Sequence, residues 1–137
     1  MFEQCLYFNT TSLARKLERE WTLAFKPFGL TPSQAFMLRV ILDKPGSYQN
    51  ALAKEMNITK PTASRGLDGL EGLGLIERLP SADDAREIEV HPTKKAKAIK
   101  DGLNAASGEV TKKFKKLLGA NEFLDVVGKL RGISEVL

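Results

Sequence analysis

Lys60, Thr62, Ser64 and Arg65 stand within six residues of one another, and Arg86 follows about twenty residues later. Their chemistry suits a nucleic acid. A guanidinium pairs with guanine N7 and O6, a hydroxyl donates to a phosphate or base edge, and an ammonium neutralises phosphate. Arg86 closes the polar run Ser81-Ala82-Asp83-Asp84-Ala85-Arg86, whose tip could place a guanidinium in a narrow minor groove, where negative potential is focused. Asp84, two residues earlier, is expected to hold that loop and orient Arg86. Gln49, opening an earlier helix, completes the expected DNA-facing set: Gln49, Lys60, Thr62, Ser64, Arg65, Asp84 and Arg86. For the four residues from Lys60 to Arg65 taken alone, an ordinary polar helix face is the competing explanation.

Other reactive side chains lack partners. His91, the single histidine, lies beside Pro92 with no ligand or acid nearby in sequence, so a structural or surface role is expected. Asp83, Asp84, Glu87 and Glu89 fit a loop and a solvated strand face better than a cation site. There is no Gly-rich phosphate loop after a strand, no activated Ser or Cys constellation and no obvious pocket of paired carboxylates. No catalysis, metal or cofactor is therefore expected.

These residues need a scaffold, and the apolar spacing outlines one. Leu6, Leu13, Leu17, Trp21, Ala24 and Phe28 recur at three, four or seven, predicting a long amphipathic helix that ends near Pro27 and Gly29. Thr31-Pro32-Ser33-Gln34 is a capping-box pattern opening a second helix, which carries Phe36, Met37, Val40 and Ile41 and stops at Lys44-Pro45-Gly46. A third helix, about 49–56, ends at Asn57, a residue that tolerates a left-handed turn. Thr59 caps the fourth, with Pro61 in its first turn and Ala63, Leu67 and Leu70 on its buried face. Gly66, Gly69 and Gly72 each weaken that helix by about 1 kcal/mol relative to Ala.

Segments 75–79 and 87–91 then read as a two-stranded hairpin. From Thr93, apolar residues recur at three and four from Ala96 through Leu117, and a last helix, about 121–137, repeats the pattern with Leu124, Val127, Leu130 and Ile133. The first and last two helices exceed what a small helix-turn-helix core can cover. They are expected to interleave in a homodimer, whose twofold would set two recognition helices about 34 to 36 Å apart. Lys94, Lys95 and Lys97 sit at a helix N-terminus, where cations oppose the dipole, and their nearness to the wing suggests phosphate contact. The paired lysines flanking Phe114 read as a solubilising outer face.

At 137 residues the chain is one domain long, with a formal charge of +4. Between Arg39 and Lys97 ten Lys or Arg face nine Asp or Glu, so a DNA surface must come from placement rather than bulk charge. The one cysteine, Cys5, forbids an intrachain disulfide and fits a reducing cytoplasm. The N-terminal residues lack a basic signal region, and the apolar run 35–42 is too short to span a bilayer, so a cytoplasmic protein with no membrane partner is expected.

Leu67-Asp68-Gly69-Leu70, then Gly74-Leu75-Ile76-Glu77-Arg78 and Asp84-Ala85-Arg86, closely resembles the MarR family of winged-helix transcriptional regulators. Gly29-Leu30-Thr31-Pro32-Ser33-Gln34, Leu52-Ala53-Lys54-Glu55-Met56 and Val90-His91-Pro92-Thr93 extend the likeness over nearly the whole length. The resemblance implies a mainly α fold with a small β-hairpin wing: a single MarR-type domain over 1–137, with a winged helix-turn-helix at about 31–92 and dimerisation helices at about 1–28 and 93–137. It implies a homodimeric DNA-binding regulator, usually a repressor, relieved by a small phenolic or lipophilic effector. Ser64 and Arg65 then match contacting positions of the recognition helix, and Arg86 the wing arginine.

Gly66 and Gly69 depart from the family pattern, removing side chains from the recognition helix, and Pro92 and Ala96 replace a common Leu and Gly. The two glycines favour an alternative, a winged-helix protein-interaction module that has lost DNA readout. Cys5 lies two residues from the position, Tyr7 here, at which one branch of the family senses peroxides, about 200 degrees around the helix. Trp21, Phe36 and Arg39 are the candidate effector-pocket residues, chosen because they lie where the dimer body meets the DNA-binding half; plain core packing is the competing reading.

Overall fold

The computed structural model describes residues 1–137. Helix α1 (Leu6–Phe25) is followed by a single 3-10 turn, Lys26–Phe28, which ends at Gly29 with φ of 69°. That left-handed residue turns the chain into α2 (Pro32–Asp43), whose expected capping box forms. Thr31 Oγ1 accepts the Gln34 N–H at 3.2 Å while Gln34 Oε1 accepts the Thr31 N–H at 3.0 Å. α2 buries Ala35, Met37, Leu38, Ile41 and Leu42, whereas Phe36 is 38% exposed. It is a central helix, packed by α1 as well as by the elements that follow it.

Gly46, at φ of 81°, donates its N–H to Val90 O and swings the chain into β1 (Ser47–Tyr48). Helix α3 (Gln49–Glu55) follows, and Asn57 takes the left-handed conformation expected of it, with φ of 55°. Helix α4 (Lys60–Gly72) leads to β2 (Ile76–Pro80), β3 (Ile88–Pro92), the 25-residue α5 (Lys94–Leu118) and α6 (Ala120–Val136). β2 and β3 pair antiparallel with Arg78 opposite Val90, and β1 adds to the other side of β3 with Ser47 opposite Val90. The sheet therefore has three strands where a two-stranded hairpin was expected. Two residues are too few for an alternation pattern, so β1 was invisible to periodicity.

The core gathers Phe25, Leu38, Ile41, Leu52, Leu67, Leu70, Ile76, Val90 and Leu103, all under 2% exposed. α2 lies between α4 and β3 on one side and α5 on the other. α1 docks on α5 through Trp21, whose ring stacks on Phe114 at 5.9 Å and whose indole N–H donates to Ser107 Oγ at 3.2 Å. α6 buries none of its side chains. No helix is long and apolar enough to cross a membrane.

Candidate nucleic-acid interface

The N-terminal turn of α4 is built by Thr59. Its hydroxyl accepts the Thr62 N–H at 3.3 Å and donates to Thr62 Oγ1 at 2.9 Å. Arg65 Nη2 donates to the same Thr62 oxygen at 3.3 Å, so Thr62 accepts twice and keeps its own proton for a partner outside the chain. Lys60, Thr62 and Arg65 are exposed and Ser64 is half-buried. Four of the expected residues thus share one helix end.

Gly66 and Gly69 lie elsewhere on that helix. A Cβ on Gly66 would come within 2.9 Å of Met37 Cε, and one on Gly69 within 3.3 Å of Gln34 Nε2. Both glycines face α2 and admit it at close range, so they do not strip the solvent face of contacts. The expectation that they thin the readout surface is corrected: their missing side chains serve packing. A cleft of about 320 Å³ runs along this seam, bordered by Ser33, Met37, Met56, Ile58, Thr62 and Arg65.

The wing tip carries Arg86 with a 90% exposed side chain. Asp84 Oδ1 accepts both its backbone N–H, at 3.0 Å, and its Nε–H, at 3.2 Å. Those donors hold the Asp84 carboxyl below the usual carboxylate range, the backbone N–H contributing most. The expected orienting role of Asp84 has this geometry behind it.

Anchors on α4 from β2 and from α5 escaped the sequence reading. Arg78 on β2 reaches Asp68 at 2.5 Å and Glu71 at 3.1 Å, tying the strand to the far end of α4. Glu71 above all, then Asp68, raises the Arg78 pKa against the effect of burial. Lys95 Nζ donates to Leu73 O at 2.8 Å, just past the end of α4. A cation there favours the α4 dipole, so for Lys95 the expected phosphate contact gives way to a helix-capping one. Lys94 and Lys97 remain exposed.

A sequence model described as MarR family matches residues 28–87, which takes in α2, the helix-turn-helix and the wing loop. YybA, an uncharacterized HTH-type transcriptional regulator of Bacillus subtilis, is 32% identical over 87 residues, covering 64% of this chain and 58% of that one. Over residues 28–87 the chain is similar to the MarR family. Its match to YybA spans little more than half of that relative's length. Among solved structures, the MepR–DNA complex from S. aureus aligns with a TM-score of 0.88 at 21% identity, over 98% of this chain and 100% of that one. The transcriptional repressor CouR, bound to a 23-mer DNA duplex, aligns at 0.84 with 26% identity over 97% and 94%.

Elsewhere in the chain the other expected residues separate. Gln49 is half-buried with its Oε1 enclosed and unpartnered, so that oxygen is turned away from a DNA surface. Phe36 and Arg39 share a cleft of about 350 Å³ with Asp43, Lys44, Lys100 and Asn104, but Trp21 is not among its walls. Arg39 stacks over Phe36 at 5.2 Å and donates to Asn104 Oδ1 at 2.8 Å, and burial lowers its pKa. Trp21 is committed to the α1–α5 seam, its N–H spent on Ser107. Cys5 is exposed and caps α1, its Sγ accepting the Phe8 N–H at 3.5 Å. His91 pairs with Glu89 at 3.0 Å, as a structural histidine would.

Proposed function

We propose that this chain is a homodimeric, sequence-specific DNA-binding transcriptional regulator, a repressor of a pseudo-palindromic operator. The observation that carries the reading is the pairing of two exposed basic ends on one body. Arg65, with Lys60 and Thr62, opens α4, and Arg86 stands exposed at the wing tip, braced by Asp84. α4 would enter the major groove and Arg86 the minor groove beside it. That MepR and CouR, which share this fold, were solved as DNA complexes supports DNA binding by this chain. A second copy would cover the apolar faces of α1, α5 and α6 and set the half-site spacing.

Regulation by a small ligand fits the cleft at Phe36 and Arg39, where an aromatic face lies beside a guanidinium and the Lys44 and Lys100 ammonium groups. Asp43 and Glu55 also line that cleft and Glu55 pairs with Lys44 at 3.3 Å, so the lining is mixed in charge and suits a polar aromatic ligand better than a purely lipophilic one. Its binding would favour a dimer geometry in which the two α4 helices no longer match the half-sites. The interaction-module alternative drew its support from Gly66 and Gly69, and their close approach to α2 gives those glycines a packing reason instead.

The test is binding to the duplex upstream of the chain's own gene against a scrambled duplex at two salt concentrations. Arg65→Ala is expected to cost about 1 to 3 kcal/mol and to relax specificity. Arg86→Ala should weaken binding less and flatten the salt dependence. Equal weak binding to both duplexes would overturn the reading.

A further inference from the structure

Tyr48 lies on the edge strand β1, and the wing loop begins after β2, on the opposite edge of the sheet. The Tyr48 hydroxyl nevertheless reaches Ser81 Oγ, at 3.1 Å. Ser81 is only 5% exposed, and its oxygen also receives the backbone N–H groups of Asp83 at 3.2 Å and Asp84 at 3.4 Å. Asp84 in turn accepts the Arg86 N–H and guanidinium. A continuous chain of hydrogen bonds therefore leads from the body of the sheet to the one guanidinium at the wing tip. Backbone bonds from Ser81 N–H to Glu87 O and from Glu87 N–H to Asp84 O, both 3.0 Å, close the loop around it.

We infer that Tyr48, acting through Ser81, is the positioning residue that fixes the wing tip and aims Arg86; the inference rests on the DNA-binding reading of the wing. Proton counting gives the direction of the chain. A serine hydroxyl has two lone pairs and one proton. The Asp83 and Asp84 N–H groups take the lone pairs, so the Ser81 proton goes to the Tyr48 phenolic oxygen. Removing that oxygen leaves a buried O–H without an acceptor, and Ser81 is then drawn to turn away from the loop. Arg86 has no contact of its own with the body beyond Asp84, so its direction depends on whether Asp84 is held.

The experiment combines amide hydrogen exchange of the unbound protein with binding to the upstream duplex used above. In Tyr48→Phe and Ser81→Ala, the Asp83 and Asp84 amides should exchange faster while those of α5 keep their rates. Ser81→Thr, which retains the hydroxyl, should restore slow exchange. Tyr48→Phe should weaken duplex binding about three- to tenfold, the worth of one hydrogen bond. In an Arg86→Ala background the same substitution should cost nothing further. Unchanged Asp83 and Asp84 exchange in both variants, or an equal binding penalty with and without Arg86, would overturn the inference. Wild-type protein that fails to prefer the upstream duplex defeats the DNA-binding reading instead, and the exchange rates then decide the relay by themselves.

Discussion

The middle of the chain and its two ends are built on different terms. Every buried residue lies between Phe25 and Ser107, where α2, α4, the sheet and the first half of α5 close around one another. Outside that span, Leu6, Tyr7, Phe8 and Leu13 of α1 and Leu124, Val127, Leu130 and Ile133 of α6 are exposed. Both regions are amphipathic in sequence, yet the ends meet within the same chain only in part, chiefly where Trp21 stacks on Phe114. α6 buries no side chain within the chain, so its apolar face is what the proposed dimer would cover. The contrast separates a self-sufficient core from ends whose apolar faces the proposed dimer would cover.

Substitutions in the two regions should therefore fail in different ways. Leu38→Ala removes a side chain with no exposure from the centre of α2 and should destabilise the protein by about 2 to 5 kcal/mol in urea unfolding. Gly66→Val tests how closely α2 and α4 meet: its Cβ would press on Met37, and a cost of about 1 to 3 kcal/mol is expected. A neutral or stabilising effect would show that Met37 yields and that the helix approach is loose. Leu130→Glu on α6 should leave the middle folded but weaken self-association about tenfold or more by sedimentation. Unfolding of the core by Leu130→Glu, or unchanged assembly, would erase the distinction between the regions.

Helices were legible in the sequence because their signals are local. Thr31 with Gln34, Thr59 with Pro61, and Asn57 are read from neighbours within four residues, and each sits in the structure where its chemistry sends it. Arg65 and Arg86 were legible for a related reason, since a charged residue at a helix start or loop tip has nowhere else to go. What escaped depends on distance along the chain. Tyr48 and Ser81 are 33 residues apart, and Lys95 caps a carbonyl 22 residues away. No periodicity links such positions. The glycines of α4 misled because a helical wheel shows that a side chain is absent without showing which neighbour fills the gap. Trp21 and Arg39 misled similarly: their sequence positions suggested a shared pocket, and both do reach α5 one turn apart, but Trp21 is spent on the α1–α5 seam and stays out of the cleft that Arg39 lines.

The bareness of α6 has a further consequence for the proposed dimer. A helix that completes its packing only against another copy makes the folded, correctly spaced form subject to mass action. Occupancy of an operator would then rise more steeply than in proportion to the number of chains in the cell. At low copy number the self-sufficient cores would be intact but unpaired, each able to hold only one half-site. The abundance of the protein, before any ligand is present, would already act as a threshold.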